Sequence, residues 1–244
     1  MHIDFGHLNK FLLQQPGLTY PIRQRLFHGD DLHWTKLWFT GQALLLQDWA
    51  LHLYGDEQQL YSLLKELPPG KYEFFATAEE YMPLLQKVFQ GIETETLSDI
   101  YVLKEADFPR DQVESLDNLT EEDVDLVDAN WDYRFDGSRD FFLNAITSYP
   151  SSAIRIDDKL AGWAVCYSAT DDMANLGSLR VLQPWLRQGW GRKIALDLAA
   201  KVLDSGRTPM VQILTTNTAS QNLSCSIGFK ALGQHIFWGE GTKP

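Results

Sequence analysis

Residues 177–203 read Gly-Ser-Leu-Arg-Val-Leu-Gln-Pro-Trp-Leu-Arg-Gln-Gly-Trp-Gly-Arg-Lys-Ile-Ala-Leu-Asp-Leu-Ala-Ala-Lys-Val-Leu, and they decide how the chain is understood. The first six are strand-like, Gln188-Gly189-Trp190-Gly191-Arg192 is a glycine turn, and the rest is amphipathic. Trp190, Ile194, Leu198 and Val202 recur every four residues and so share one helical face, with Lys193, Asp197, Lys201 and Asp204 opposite. The order strand, glycine turn, helix aims the unpaired amides of a helix N-terminus at an anion, backed by the positive end of the helix dipole. A phosphate-bearing ligand is the first expectation.

Working outward, the helix stops at Ser205-Gly206, with glycine where a left-handed cap is expected. Pro209–Leu214 then reads as a strand, Asn217–Ile227 as a short helix and Phe229–Trp238 as a last strand. Upstream, Thr120-Glu-Glu-Asp starts a helix with a capping threonine and acids in its first turn. Ser138-Arg-Asp starts another, through Phe141, Phe142 and Ile146. Strands Ser152–Ile156 and Leu160–Tyr167 are joined by the turn Asp157-Asp158-Lys159, and Ala174–Leu182 is the third strand. The second half thus reads α-α-β-β-β-α-β-α-β.

The first half alternates strands and helices: a β-rich stretch 42–53, a helix from Asp56 to Leu67 ended by Pro68-Pro69-Gly70, a strand over 72–77, a helix over 78–89 and a strand over 94–103. Residues 105–118 are polar and contain a proline, which marks them as a linker. Two domains are expected, an N-terminal α/β domain over 1–108 and a second over 118–244.

Composition narrows the function classes. With 244 residues, 44% of them hydrophobic, the chain can bury a real core. Net charge is −12, yet residues 141–244 carry ten Lys/Arg against seven acids. A local excess of three positive charges suits a small anion and falls short of the broad basic surface that a nucleic acid needs. The opening Met1-His-Ile-Asp-Phe-Gly-His-Leu-Asn9 lacks the basic and apolar regions of a signal peptide, and no stretch reaches membrane-spanning length. A soluble, cytoplasmic protein with no membrane partner is expected. Two cysteines, Cys166 and Cys225, supply neither a disulfide framework nor a metal site, and both are expected as buried small side chains.

The order of elements, with Gln188-Gly189-Trp190-Gly191 and the later Asn217, Leu223, Gly228 and Phe229, resembles the GNAT superfamily of acyl-CoA-dependent N-acyltransferases over roughly residues 118–244. The superfamily pattern Gln/Arg-x-x-Gly-x-Gly/Ala is matched at Gly189 and Gly191, with Leu186 at its leading position and Arg187 beside it. The pattern Asn-x-x-Ala-x-x-Leu-Tyr-x-x-x-Gly-Phe is matched at Asn217, Ser220, Leu223, Ser224, Gly228 and Phe229. Residues 130–135, the helix ending at Tyr149-Pro150, and Ala161-Gly162-Trp163 are also similar to glycine N-acyltransferase-like proteins, which carry an N-terminal α/β domain.

The resemblance implies a mixed, largely antiparallel sheet flanked by helices; the first domain is expected as a degenerate copy of the same fold, a lid or a dimer surface. It implies acetyl-CoA or another acyl-CoA as co-substrate and a primary amine of a small molecule, amino acid or peptide as acceptor. Backbone amides from Arg187 through Arg192, among them those of Gln188, Gly189, Trp190 and Gly191, would hold the pyrophosphate, with the side chains of Arg187, Arg192 and Lys193 adding charge. An amide at Val181 or Leu182 would stabilise the oxyanion, Gly177 would mark a strand bulge, and Asn217 would either contact the pantetheine or cap its helix. The amine must lose a proton, and the candidate bases are Asp171 and Asp172, with Tyr167 and His235 as alternatives. Ser224 stands where the superfamily often places a tyrosine general acid. The aromatics Trp131, Tyr133, Phe135, Phe141 and Phe142 are core or an acyl or amine pocket.

Overall fold

The computed structural model describes residues 3–28 and 36–244; Met1 and His2 of the opening stretch lie outside the described residues. The helices are α1 (Phe5–Leu12), α2 (Tyr20–Arg23), α3 (Glu57–Lys65), α4 (Met82–Leu85), α5 (Val124–Ala129), α6 (Ser138–Ser148), α7 (Trp190–Asp204) and α8 (Thr218–Ser226). The strands are β1 (Lys36–Phe39), β2 (Ala43–Gln47), β3 (Leu51–Gly55), β4 (Gly70–Ala78), β5 (Gln90–Val102), β6 (Ser151–Ile156), β7 (Lys159–Ala169), β8 (Met173–Val181), β9 (Thr208–Leu214) and β10 (Lys230–Lys243). The fold is a mixed α/β one, with mostly antiparallel strands flanked by helices; the pairs β3–β4 and β8–β9 are parallel. No helix among the described residues is long and apolar enough to cross a membrane.

Two compact units divide the chain, and they are not two contiguous halves. Unit 1 comprises residues 1–100, 214–216 and 231–244, and unit 2 comprises 101–213 and 217–230. The reason is β10, whose residues Ile236–Lys243 pair antiparallel with Ala78–Gly70 of β4. In unit 1, β1, β2 and β3 form an antiparallel meander, and α3 makes the crossover to the parallel β4. Leu60 and Leu64 of α3 are buried at the spacing read from the sequence. The helix expected over 78–89 shrinks to a 3₁₀ turn and the four residues of α4. Leu84, Leu85, Val88 and Phe89 are nonetheless buried, so the apolar periodicity there reports core contact rather than a long helix.

Unit 2 is built on β6, β7, β8 and β9 in that spatial order reversed. β6 and β7 are joined by Asp157 and Asp158 at φ 51° and 60°, the two left-handed residues that a twisted two-residue hairpin requires. Residues Leu160–Cys166 of β7 are buried without interruption, because both faces are covered. One face packs Trp163 and Val165 against Val124, Val127, Phe142 and Ile146 of α5 and α6. The other packs Ala164 and Cys166 against Ile194, Leu198 and Val202 of α7.

The face of α7 opposite that stripe is not wholly solvated. Asp197 is 2% exposed, ion-pairs with Lys201 at 2.7 Å and accepts the Leu116 N–H at 3.1 Å. The Lys201 ammonium also donates to the carbonyls of Leu116 and Ser151, each at 2.9 Å. Residues 105–118, expected as a linker, are thus a strap across α7: Phe108 is buried, and Ala153 N–H donates to Asp117 O at 2.8 Å. A polar, proline-containing composition fits a linker and a strap equally well. The buried Asp197 is what distinguishes them, because it supplies partners for the strap's backbone.

Candidate active site

The site begins with an irregularity in β8. Val165 of β7 pairs with Gly177 and Trp163 with Arg180, so β8 holds one residue more than β7 over that interval. Ser178 takes the strain at φ 48° and forms a bulge. Gly177, expected to mark this bulge, is required for a steric reason as well. A Cβ there would lie 2.1 Å from Cε2 of Tyr167, whose ring fills the space. Burial pushes the Tyr167 phenol up to about 12, so it is protonated at neutral pH and is a poor base.

Beyond the bulge β8 parts from β9. Their parallel pairing runs from Met173–Thr208 to Leu176–Val211 and stops there. On the other side, Leu182 N–H donates to Ala161 O at 2.8 Å, which makes 161 and 182 a hydrogen-bonded antiparallel pair and 162 and 181 a non-bonded one. The Val181 N–H and C=O therefore point away from β7, into the gap. Of the two amides proposed for the oxyanion, Val181 is offered; Leu182 is corrected to a ladder donor already in use.

The α7 start closes the other end of this gap. Gly189 precedes it at φ 83°, and a Cβ there would meet nothing within 4 Å. The N–H groups of Arg192 and Lys193 turn back to Gly189 O at 3.1 and 3.3 Å. Those of Trp190 and Gly191, in the first turn, have no acceptor within the helix. A Cβ on Gly191 would stand 3.6 Å from Leu179 and 3.9 Å from Leu223 and Val181, so this glycine leaves a narrow slot, about a methyl group wide, walled by those three side chains. The local chemistry fits coenzyme A. Space beside Gly189 would take a pyrophosphate against the backbone, and a thin arm ending in a thioester would run between Leu179 and Leu223 toward the Val181 amide.

The polar side chains around the turn brace it. Arg192 donates to Gln112 Oε1 at 2.7 Å. Lys193 pairs with Glu114 at 2.8 Å and lies 5.0 Å from the Trp190 ring centroid. Gln188 Oε1 accepts the Trp190 indole N–H at 3.3 Å. Arg187 is exposed in the loop at φ 60°. Arg192 and Lys193 thus anchor the turn to the strap, while Arg187 projects as an exposed charge.

On α8, Asn217 accepts the Ser220 N–H at 3.1 Å and is the helix cap. Gly228, at φ 102°, passes so close to the strap that a Cβ would sit 2.3 Å from Asp107 O. Ser224 is half-buried on the same helix, its carbonyl accepting the Ile227 and Phe229 N–H groups. Cys166 is fully buried and its thiol is pushed up to about 12 by burial, but Cys225 is exposed, which corrects the expectation that both cysteines are buried. Its place on a helix with no buried residue explains the difference.

The structure does not bring Asp171 and Asp172 to this gap. They form the turn before β8, where Asp172 accepts the Thr170 hydroxyl at 2.8 Å. At about 3.3 Å per strand residue the turn lies on the order of 25 Å from Val181, at the opposite end of the strand. His235 belongs to unit 1, with Nδ1 2.7 Å from Asp99 Oδ1. The aromatic group divides: Phe142 is fully buried, Trp131 and Phe141 are half-buried and stacked at 5.9 Å, and Tyr133 and Phe135 are 49% and 54% exposed. Leu179 and Leu223, which wall the slot, were not anticipated as site residues. Their signal was position, Leu179 two residues before Val181 and Leu223 one turn before Ile227.

Residues 156–238 match the model of the family described as FR47-like protein. No curated protein sequence matches the chain. Among solved structures, an acetyltransferase of the GNAT family from Colwellia psychrerythraea is similar over 99% of this chain and 98% of its own, at 16% identity and a TM-score of 0.62. A GCN5-related N-acetyltransferase from Kribbella flavida covers 95% of this chain and 93% of its own, at 14% identity and a TM-score of 0.59. A Drosophila protein covers 88% of this chain and 77% of its own, at 18% identity and a TM-score of 0.64.

Proposed function

We propose, proceeding from the GNAT acetyltransferase fold that this chain carries, that it is an acyl-CoA-dependent N-acyltransferase. It would move an acyl group, most simply acetyl, to a primary amine by direct attack in a ternary complex. The observation that carries this reading lies in unit 2: the end of β8 that β9 leaves unpaired reaches the uncapped start of α7, where Leu179 and Val181 come within 4 Å of the Gly191 Cβ position.

In that reading the amides at Trp190 and Gly191 and the α7 dipole hold the pyrophosphate. Leu179, Val181 and Leu223 confine the arm, and the Val181 N–H donates to the acyl oxygen as negative charge develops on it. The thioester, when bound, supplies a carbonyl whose C–S bond breaks as the new C–N bond forms. The departing thiolate belongs to a thiol of pKa about 8.5, so it leaves without a strong acid, and Ser224 in place of a tyrosine is compatible with turnover. Asp171 and Asp172 are set at the far turn, so in this reading the amine attacks in its neutral form, and the proton its nitrogen releases as the C–N bond forms passes through solvent to the departing thiolate.

A second reading, an acyl-CoA-binding module without turnover, is favoured by that same Ser224. Titration calorimetry with acetyl-CoA, run beside thiol release across a panel of amines, separates the two. Binding with amine-dependent thiol release is expected. Binding without release would leave the second reading, and absence of binding would end both.

A further inference from the structure

We propose that Tyr167 is a positioning residue for acyl transfer: by holding the bulge at Ser178 it keeps the Val181 N–H turned toward the acyl oxygen. The proposal rests on the acyl-transfer reading for the purpose of that amide, and on the β7–β8 ladder for its direction.

The bulge decides which way Val181 faces. On β7 the backbone groups of Trp163 and Ala161 are directed at β8, where they meet Arg180 and Leu182. Val165 is directed the same way, since its neighbour Cys166 donates to Pro150 O on the far side, and it meets Gly177. The residues of β8 that face β7 are therefore 177, then 180 and 182. Successive residues of a strand turn their N–H groups to opposite sides, so without an extra residue the series would be 177, 179 and 181. Val181 would then spend its amide in the ladder, as Leu182 does now. The added residue shifts the alternation and sends the Val181 N–H the other way.

A second irregularity compensates the first. Cys166 pairs with Leu176 and Ser168 with Asn175, so Tyr167 has no partner opposite it and is the extra residue of β7. With one extra residue on each strand, the two shifts cancel. The two irregular residues also meet. The Tyr167 ring lies across Gly177, its phenol oxygen 2.8 Å from where a Cβ would stand, and the phenol is hydrogen-bonded to the Ser178 side chain and backbone. The Trp131 indole bonds the same phenol, and the Phe141 ring centroid lies 5.4 Å from that of Tyr167. Ser178 stands at φ 48°, a left-handed conformation that a serine keeps only where its surroundings hold it. Tyr167 supplies that hold, with one side of its ring fixed in the aromatic cluster and its hydroxyl on the bulge.

The test is Tyr167→Phe, which keeps the ring over Gly177 and removes only the hydroxyl. In the full chain without ligand, amide hydrogen exchange is followed at Leu182, whose bond to Ala161 O fixes the strand beyond the bulge, and at Cys166, bonded to Pro150 O on the other side of β7. Leu182 is expected to exchange faster in the variant, by about tenfold or more relative to Cys166, because only the local opening is eased. Equal acceleration at both amides would mark a general loss of stability, and no change at either would leave the bulge independent of Tyr167; each result overturns the proposal. With acetyl-CoA and an amine that the parent accepts, kcat is expected to fall about 30-fold or more with the KM for acetyl-CoA within about threefold, since an oxyanion donor acts in the transition state and the α7 start is untouched. A parent-like kcat would overturn the positioning role. A parent that releases no thiol with any amine would sink acyl transfer, and the exchange ratio would still decide whether Tyr167 holds the bulge.

Discussion

The starts of α3 and α7 are built in opposite ways. α3 closes its own first turn: Asp56 accepts the Gln59 N–H at 2.9 Å, so a donor that helix formation leaves over is consumed by the chain. α7 begins after Gly189, which has no side chain to offer, and no side chain caps its first turn. Glycine alone does not make the difference. α6 also begins after a glycine, Gly137 at φ 100°, but its first residue, Ser138, is buried and bonded to Asp128. What separates α7 is a free start together with a slot that a ligand can enter.

The largest effect that would test this contrast is expected at Gly191. Its φ is ordinary and its Cβ position is in normal contact range, so Gly191→Leu fits the backbone but fills the slot between Leu179 and Leu223. Acetyl-CoA affinity should fall at least 100-fold, about 2.8 kcal/mol. The melting temperature should hold or rise, because glycine inside a helix is about 1 kcal/mol worse than ordinary residues. Calorimetry showing parent affinity would remove α7 from the site.

A middle-sized effect belongs to the bulge. Gly177→Ala forces a methyl into the Tyr167 ring and should destabilise the protein by about 1–3 kcal/mol in urea unfolding. In a Tyr167→Ala background the same glycine substitution should cost much less, because the ring it collides with is gone. If Gly177→Ala is neutral alone, the bulge is not sterically enforced.

The smallest effect sharpens the comparison from the self-capped side. Asn217→Ala should cost about 1 kcal/mol of stability, the usual value of a helix cap, and leave coenzyme affinity within twofold. A tenfold loss of affinity would move Asn217 from cap to ligand contact.

These contrasts also show which parts of the molecule could be read from residues alone. The turn at 188–192 was legible because everything it does is local: two glycines, a strand before and an amphipathic run after. The β6–β7 hairpin and the α7 stripe were legible for the same reason. Three features were not. The strap over 105–118 depends on Asp197, more than 80 residues away, whose burial inverts the meaning of a polar helix face. Asp171 and Asp172 are six and five residues from Gly177 in sequence, close enough to suggest proximity, but an extended strand turns that short count into distance. The assignment of β10 to unit 1 is a choice of pairing partner between strands about 160 positions apart, which no local pattern records.

That last pairing has a consequence during synthesis. A ribosome delivers β4 before unit 2 and β10 after it. Unit 2 has its strands, helices and strap in hand once residue 230 has emerged, whereas unit 1 must keep an edge of β4 open until after that point. Domains formed during synthesis ordinarily complete from the N-terminus onward. Here the order is reversed: the unit that starts first is completed second, and an edge of β4 waits unpaired in the interval.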